Sequence, residues 1–315
     1  MKPQPYLIVN VDTDPDPVSV YQDDASVLKK YARMREIIRQ HVGGAAAYCV
    51  LTGPICRDRF FEQPFVDFWR AVKEDGADLV LHPEEDLYGP PPGKVGDGSS
   101  YENIDHMEPI ILEKAAVMRE LGLPFDAYRG GYHGFTLPIG EVLKRAGIGI
   151  DLACAPGIVW PEKAASWGKA PLSAYYMSAE DCVREAKAAE KDALFEVPFA
   201  WDGVAPGTSR RFVIGENYMI NEFSNLPAMK KVWDAIVARR DATGRSQIVS
   251  MICHTFSMGQ QPFEQQLAGI LDYVTEHEGR PLTPSQAKRM FDQNSGSDIH
   301  RTREQREFDD GERAP

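Results

Sequence analysis

The chain has 315 residues, 43% of them hydrophobic and 26% charged, with a formal net charge of -12 at pH 7. Such a composition is globular, and the negative charge repels phosphate backbones and anionic membrane surfaces, which argues against nucleic acid as a partner. No apolar run is long enough to span a bilayer, and Met1 to Tyr6 leads into a strand without the apolar core of a signal peptide, so the expectation is a cytoplasmic protein with no membrane insertion.

The five cysteines, Cys49, Cys56, Cys154, Cys182 and Cys253, are scattered and form no CxxC pair. Neither a zinc ribbon nor a disulfide framework is indicated, and Cys49, Cys154 and Cys253 read as small buried hydrophobes. Length alone would allow two domains, yet a parallel α/β barrel reaches this size as one.

In chain order, short continuous apolar runs predict strands at Tyr6 to Val11, Ala45 to Leu51, Ala77 to Leu81, Phe125 to Tyr128, Ile148 to Asp151, Ala193 to Pro198 and Gln247 to Cys253. Continuous rather than alternating apolar runs belong to strands buried on both faces, as in a parallel sheet covered by helices. Helical periodicity falls between them, at Ala25 to His41, Phe65 to Asp75, Pro109 to Leu121, Leu137 to Ala146, Ala228 to Arg240 and Phe263 to His277. The alternation predicts a wound α/β architecture or barrel.

The Gly- and Pro-rich stretch from Tyr88 to Tyr101 reads as a long surface loop beside the site. Thr283-Pro284-Ser285-Gln286 has the form of a capping box that opens a last helix through Phe291. One domain over 1–292 is expected, followed by a polar, disordered tail over 293–315.

Functional groups of parallel barrels gather at the C-terminal ends of the strands. Those ends carry Asp12-Thr13-Asp14, His82-Pro83-Glu84-Glu85-Asp86, Arg129-Gly130-Gly131-Tyr132-His133, Trp201-Asp202 and His254. Asp12 and Asp14, two apart on an extended strand, point to one side and require a cation or an arginine between them to stay ionised. A solvated acidic turn is the alternative. His82 and Asp86, four apart, could face a metal together if a helical turn follows the strand, with Glu84 and Glu85 as a charged helix start favoured by the dipole. Arg129 at a strand end could hold Asp12 ionised or form a structural ion pair. His254 is a candidate for proton transfer, or else a polar plug at the rim.

These segments, in this order, resemble the five motifs of the polysaccharide deacetylase family (carbohydrate esterase family 4, with the NodB-homology fold). Leu143 to Asp151 resembles the family's helix, glycine and strand ending in Asp, and Pro281 to Pro284 its closing segment. The resemblance implies a distorted (β/α)7 barrel of mostly parallel strands in a single α/β domain, and metal-dependent removal of an N-acyl group, acetyl or formyl, from an amino sugar or related small carbohydrate. By position it implies Asp12 as general base, Arg129 as its tether and His254 as general acid. Asp14 and His82 would bind the metal, with Asp86 where the family has a second histidine. Gly131, Tyr132, His133, Trp201 and Asp202 would contact substrate, Trp201 lining the site and Asp202 supporting a charged partner.

Two departures stand out. Thr13 separates the paired aspartates, and Asp86 makes the donor set richer in oxygen. Zinc is the first expectation for the divalent metal, with manganese, iron or cobalt as alternatives, and His106 or His133 could supply a further nitrogen. Two rival readings are a metal-free glycosidase using carboxylates among Asp12, Asp14, Glu196 and Asp202, and a catalytically inactive barrel that binds carbohydrate or acts as a scaffold. The stretch from Val204 to Asn225 reads as an insertion that shapes specificity.

Overall fold

A computed structural model describes residues 2–15, 23–54, 56–85, 99–187, 190, 192–204 and 217–293. The predicted strands are present as β1 (Pro5–Asp12), β2 (Ala47–Thr52), β3 (Asp78–Pro83), β4 (Phe125–Tyr128) and β5 (Ile150–Asp151). A small hairpin, β6 (Val159–Trp160) and β7 (Ala165–Ser166), follows, then β8 (Tyr175–Tyr176), β9 (Phe195–Glu196), β10 (Gln247–His254) and β11 (Arg280–Pro281). The helices are α1 (Asp24–Val42), α2 (Phe65–Glu74), α3 (Ile104–Glu120), α4 (Leu137–Arg145), α5 (Leu226–Thr243) and α6 (Gln261–Glu276), with α7 over 284–293.

Local chemistry sets several of their ends. Asp23 caps α1 by accepting from Ser26 N–H at 2.8 Å, and Gly43 ends that helix in the left-handed region. The capping box of α7 forms as expected: Gln286 N–H donates to the Thr283 hydroxyl at 3.3 Å, and Thr283 N–H to the Gln286 side chain at 3.1 Å. The α3 helix begins earlier than Pro109, at Ile104, so this proline lies inside it. At the sixth position it lies past the first turn, so the Asp105 carbonyl loses the N–H that a residue other than proline would donate to it.

The strand order is β10-β1-β2-β3-β4-β5-β9-β8, every pairing along it parallel except β9 with β8, and β11 pairs with β1. Past β9, Phe199 bridges Ser250 of β10 in parallel, and Ala200 N–H donates to Ser250 O at 2.7 Å. These contacts bring the far side of the sheet back to β10, and the curled sheet becomes a distorted (β/α) barrel. The expected fold class is therefore correct.

Alternation of side chains along the strands separates two cores. Tyr6, Ile8, Ala47, Cys49, Val80, Ala127, Ile150, Phe195, Val197 and Ile248 form the smaller cluster, inside the barrel. Their alternates, including Leu7, Val9, Val11, Tyr48, Val50, Leu79 and Val249, pack under the helices in the larger one. Continuing the inner series by steps of two leads from Ile8 through Asn10 to Asp12, from Val80 to His82, from Ala127 to Arg129, and from Ile248 to His254. Four polar residues so meet at one end of the barrel because each ends an inward-facing series.

Among the described residues no helix is long and apolar enough to cross a membrane. The expected surface loop from Tyr88 to Tyr101 lies outside the described residues as far as position 98. Its end is not surface: Tyr101 is buried and its hydroxyl donates to Pro83 O at 2.7 Å. The expected tail lies outside the described residues from position 294 on.

Candidate active site

Asp12 and His254 are register partners across β1 and β10. Asp12 is buried, and one guanidinium nitrogen of Arg129 contacts both of its carboxylate oxygens. Burial alone would raise the Asp12 pKa. The charge of Arg129, helped by His82 and His254, outweighs it and holds the carboxyl well below its usual range.

His82 is fully buried on β3. Its Nδ1 lies 2.7 Å from the carbonyl oxygen of Arg129. A carbonyl can only accept, so Nδ1 carries the hydrogen and Nε2 keeps its lone pair. Burial also lowers the His82 pKa to about 4, which keeps the ring neutral. Its Nε2 faces Asp12 Oδ2 at 4.0 Å and has no hydrogen-bond partner among the described residues.

Two further buried oxygens, Asp14 Oδ1 and Glu84 Oε2, also have no hydrogen-bond partner among the described residues. Asp14, His82 and Glu84 each offer a donor atom, and these atoms lie within 4.8 Å of one another. Burial, then the neighbouring Asp12 charge, raises Asp14 to about 6; burial, then Asp14 and Asp12, raises Glu84 well above its usual range. Two buried carboxyls whose charges crowd each other, beside an imidazole lone pair, fit a divalent metal, and together they offer two oxygens and one nitrogen. A second set, Asp12, Asp14 and His254, is equally compact. Two of its three members are already engaged, Asp12 by Arg129 and the Nδ1 of His254 by Glu222, which leaves the ring charged rather than offering a lone pair.

The side chain beside Asp14 and His82 is thus that of Glu84. Asp86, expected there from its spacing, lies outside the described residues. The reading of Glu84 and Glu85 as a charged helix start is overturned, since neither lies in a helix and both are buried. Glu84 follows His82 by two on an extended chain and so faces the same way. Glu85 faces oppositely and is held by Arg57 at 3.0 and 2.9 Å and by His106 Nε2 at 2.9 Å. That engagement keeps His106 out of the donor sets. His133 is buried with Nδ1 3.1 Å from Ala153 O, and it too belongs to neither set.

Gly131 lies against Glu84. A Cβ added there would overlap Glu84 Oε2 and crowd the Tyr101 hydroxyl, and one added at Gly130 would run into Gly134 O. The two glycines therefore let the Glu84 carboxylate lie on the backbone that follows Arg129. Tyr132 and His133 next to them have φ values of 52° and 62°, a left-handed conformation that side-chain-bearing residues rarely adopt and that concentrates at functional sites.

His254 is held by Glu222, which the sequence reading missed. Its Nδ1 lies 2.8 Å from Glu222 Oε2 and its backbone N–H donates to Glu222 Oε1 at 3.0 Å, while the Ser257 hydroxyl donates to the same oxygen at 2.7 Å. Burial would lower the His254 pKa, but Glu222, with Asp12 and Asp14, raises it to about 9. The charged ring points Nε2 at Asp12 Oδ2, 3.5 Å away, and at Asp14 Oδ2, 4.0 Å away.

Glu222 follows Tyr218-Met219-Ile220, and Ile220 bridges Ile252 of β10 in parallel. Residues 218–220 are therefore part of the barrel wall, within a stretch expected to be an insertion. The apolar run ending in Asn221-Glu222 carries the same signal as the run ending in Asp12 and could have been found by it. The rest of that stretch, 205–216, lies outside the described residues.

Trp201 stacks on Tyr218 with ring centroids 5.9 Å apart, Tyr218 on Phe199 at 5.9 Å, and His133 meets Phe199 at 5.5 Å. Asp202 accepts from Val204 N–H at 2.9 Å and Asn217 at 3.1 Å, and pairs with Lys231 at 3.5 Å. The charged partner of Asp202 is therefore a lysine, and neither Asp202 nor Glu196 joins the donor sets around Asp14.

No protein-family model matches the sequence, and no curated protein matches it. Solved structures do. One described as a polysaccharide deacetylase from Mycobacterium smegmatis aligns at 13% identity, covering 93% of this chain and 92% of its own, with a TM-score of 0.55. The chain has the polysaccharide-deacetylase fold. Another, described as a polysaccharide deacetylase from Pseudomonas aeruginosa, aligns at 12% identity over 91% of this chain and 89% of its own, with a TM-score of 0.49. The peptidoglycan deacetylase PdaC from Bacillus subtilis aligns at 10% identity over 95% and 97%, with a TM-score of 0.46. Within that fold the end of β1, the end of β3 and the end of β10 converge on the site described above.

Proposed function

We propose that the chain is a metal-dependent hydrolase that removes an acetyl or formyl group from the nitrogen of an amino sugar or related small carbohydrate. The observation that carries this reading is the trio of buried, unpartnered donor atoms of Asp14, His82 and Glu84, set between an arginine-bound carboxylate and a carboxylate-bound histidine. Asp14, His82 and Glu84 would hold the metal, with zinc the first expectation and manganese, iron or cobalt compatible with the two oxygens and one nitrogen. A divalent metal there supplies Lewis-acid polarisation of the acyl carbonyl and activation of water.

The protein's own groups divide the proton work. Asp12 stays ionised at every working pH and accepts the proton of the attacking water; Arg129 weakens it as a base but fixes its orientation. His254, protonated near neutral pH because of Glu222, donates to the departing amine. Removing an amine from an amide requires that donor, because an amide anion is too poor a leaving group to depart unprotonated. Tyr132 and Trp201, both only partly buried, offer rings suited to the apolar face of a sugar, with Trp201 backed by Tyr218 and Phe199. The test is release of acetate or formate from N-acyl amino sugars by metal-loaded protein, before and after chelation. No release from any such substrate, or release that survives chelation, would overturn the proposal.

A further inference from the structure

A second cluster of buried acids lies on the other face of the same strands. Asp151 of β5 and Glu196 of β9 are register partners, and both are fully buried. Ile150, Leu152, Phe195 and Val197 belong to the barrel interior, so Asp151 and Glu196, being their alternates, face outward beneath the chain that covers the sheet. Tyr128 of β4 is the register partner of Asp151, and Tyr175 of β8 that of Glu196. Four polar side chains thus stand in one row across β4, β5, β9 and β8.

Each carboxyl has one satisfied oxygen: Ala153 N–H donates to Asp151 Oδ1 and Cys154 N–H to Glu196 Oε1, both at 3.2 Å. Asp151 Oδ2 and Glu196 Oε2 have no hydrogen-bond partner among the described residues, although the two residues stand side by side in register. Two carboxylate oxygens are both acceptors, so a bond between them requires a hydrogen that neither ionised group has. A metal ion is the poorer occupant, since no compact set of three donors among the described residues includes either side chain. The other titratable groups facing the pair are Tyr128, Tyr175, Cys154 and Cys182, all neutral acids, with Arg129 acting from the end of β4 and engaged by Asp12.

We propose that Asp151 and Glu196 form a buried proton-binding site, in which one retained proton bridges the two carboxyls and latches β9 to β5. The site lies behind the wall of the barrel mouth. Ala153, which caps Asp151, also accepts from the His133 ring, and the Tyr128 hydroxyl approaches the Gly130 backbone. Removal of the proton places two like charges side by side without a cation, and the pair comes apart.

The direction of the pH effect is fixed. Burial raises Asp151 from 3.8 to about 6, and burial with the Asp151 charge raises Glu196 well above 4.5. The folded state therefore holds protons that the unfolded chain has released. The stability due to the latch is fully present below pH 3.8, the unfolded value, and is lost as pH rises through the folded values, from about 6 upward.

The test compares the wild-type chain with Glu196→Gln and Asp151→Asn, using carboxyl infrared difference spectra at neutral pH and thermal unfolding across the range from pH 6 to alkaline. An amide supplies a permanent hydrogen in place of the titrating one. A protonated-carboxyl band that Glu196→Gln removes and Glu84→Gln leaves intact is expected, together with a fall of Tm with rising pH that is shallower in the amide variant than in wild type. If Glu196→Gln does not fold, Asp151→Asn gives the same readout from the other partner, and the wild-type band is assigned by carboxyl labelling of aspartate and glutamate separately. Absence of such a band in wild type, or equal pH slopes in wild type and amide variant, overturns the proposal.

Discussion

Glu222 lies 2.8 Å from Nδ1 of His254 and also accepts the backbone N–H of the same residue. One carboxylate therefore sets the orientation of the ring and its charge, and it comes from a chain segment that bridges β10 one step before the site. Burial opposes a charged imidazole, so the value of about 9 depends on Glu222 first, with Asp12 and Asp14 adding to it. Replacing Glu222 by glutamine keeps the shape and removes the charge. As an acid, His254 is active below its pKa, and activity is lost as pH rises through it. For Glu222→Gln the alkaline limb of the pH–rate profile should move to lower pH, with kcat down by about 100-fold, the low end for a positioned proton donor. An unmoved limb would remove Glu222 from this role.

Gly131→Ala tests the closeness of Glu84 to the backbone after Arg129. The added methyl occupies the place of Glu84 Oε2. Forced displacement in so tight a site should cost roughly 1–3 kcal/mol in stability. The more specific outcome is weakened metal binding with the fold retained by circular dichroism. Full metal affinity in this variant would show that Glu84 has another station.

Asp78, at the start of β3, anchors the last helix from a distance in sequence. Its Oδ2 accepts Ser285 N–H at 2.9 Å and its Oδ1 accepts from Lys73 at 3.2 Å. Burial raises the carboxyl, but bonds from Ser285 and Thr283, with Lys73, bring it below 3.8. Its stabilisation is thus present above pH 3.8 and is lost as pH falls through the depressed value. Asp78→Asn should lose about 1 kcal/mol at neutral pH, a typical cap contribution. Chemical denaturation should show the deficit shrinking only below the usual carboxylate range; a deficit independent of pH would assign the loss to shape rather than charge.

Much of this was readable before any coordinates. Continuous apolar runs located β1, β2, β3, β4 and β10 because strands covered on both faces have no polar alternation to obscure them. Strand ends then pointed to Asp12, Asp14, His82, Arg129 and His254, which the fold gathers at one barrel mouth. Glu84 was misread because an acid after Pro83 has the form of a helix start, and only its burial against Gly131 separates the two meanings. Glu222 was missed because the segment before it forms a single bridge to β10 rather than a full strand. The Asp151 and Glu196 row needed the register of β5 against β9, which no local pattern encodes.

The most direct test of the central claim is metal content by elemental analysis, on wild type, Asp14→Ala, His82→Ala, Glu84→Gln and Asp86→Ala, each reloaded under the same conditions. The account predicts near-stoichiometric transition metal in wild type and Asp86→Ala, and its loss in the other three. Retention of metal in Glu84→Gln with loss in Asp86→Ala would move the third ligand away from Glu84. No metal in wild type after reloading would contradict the metal-dependent reading altogether.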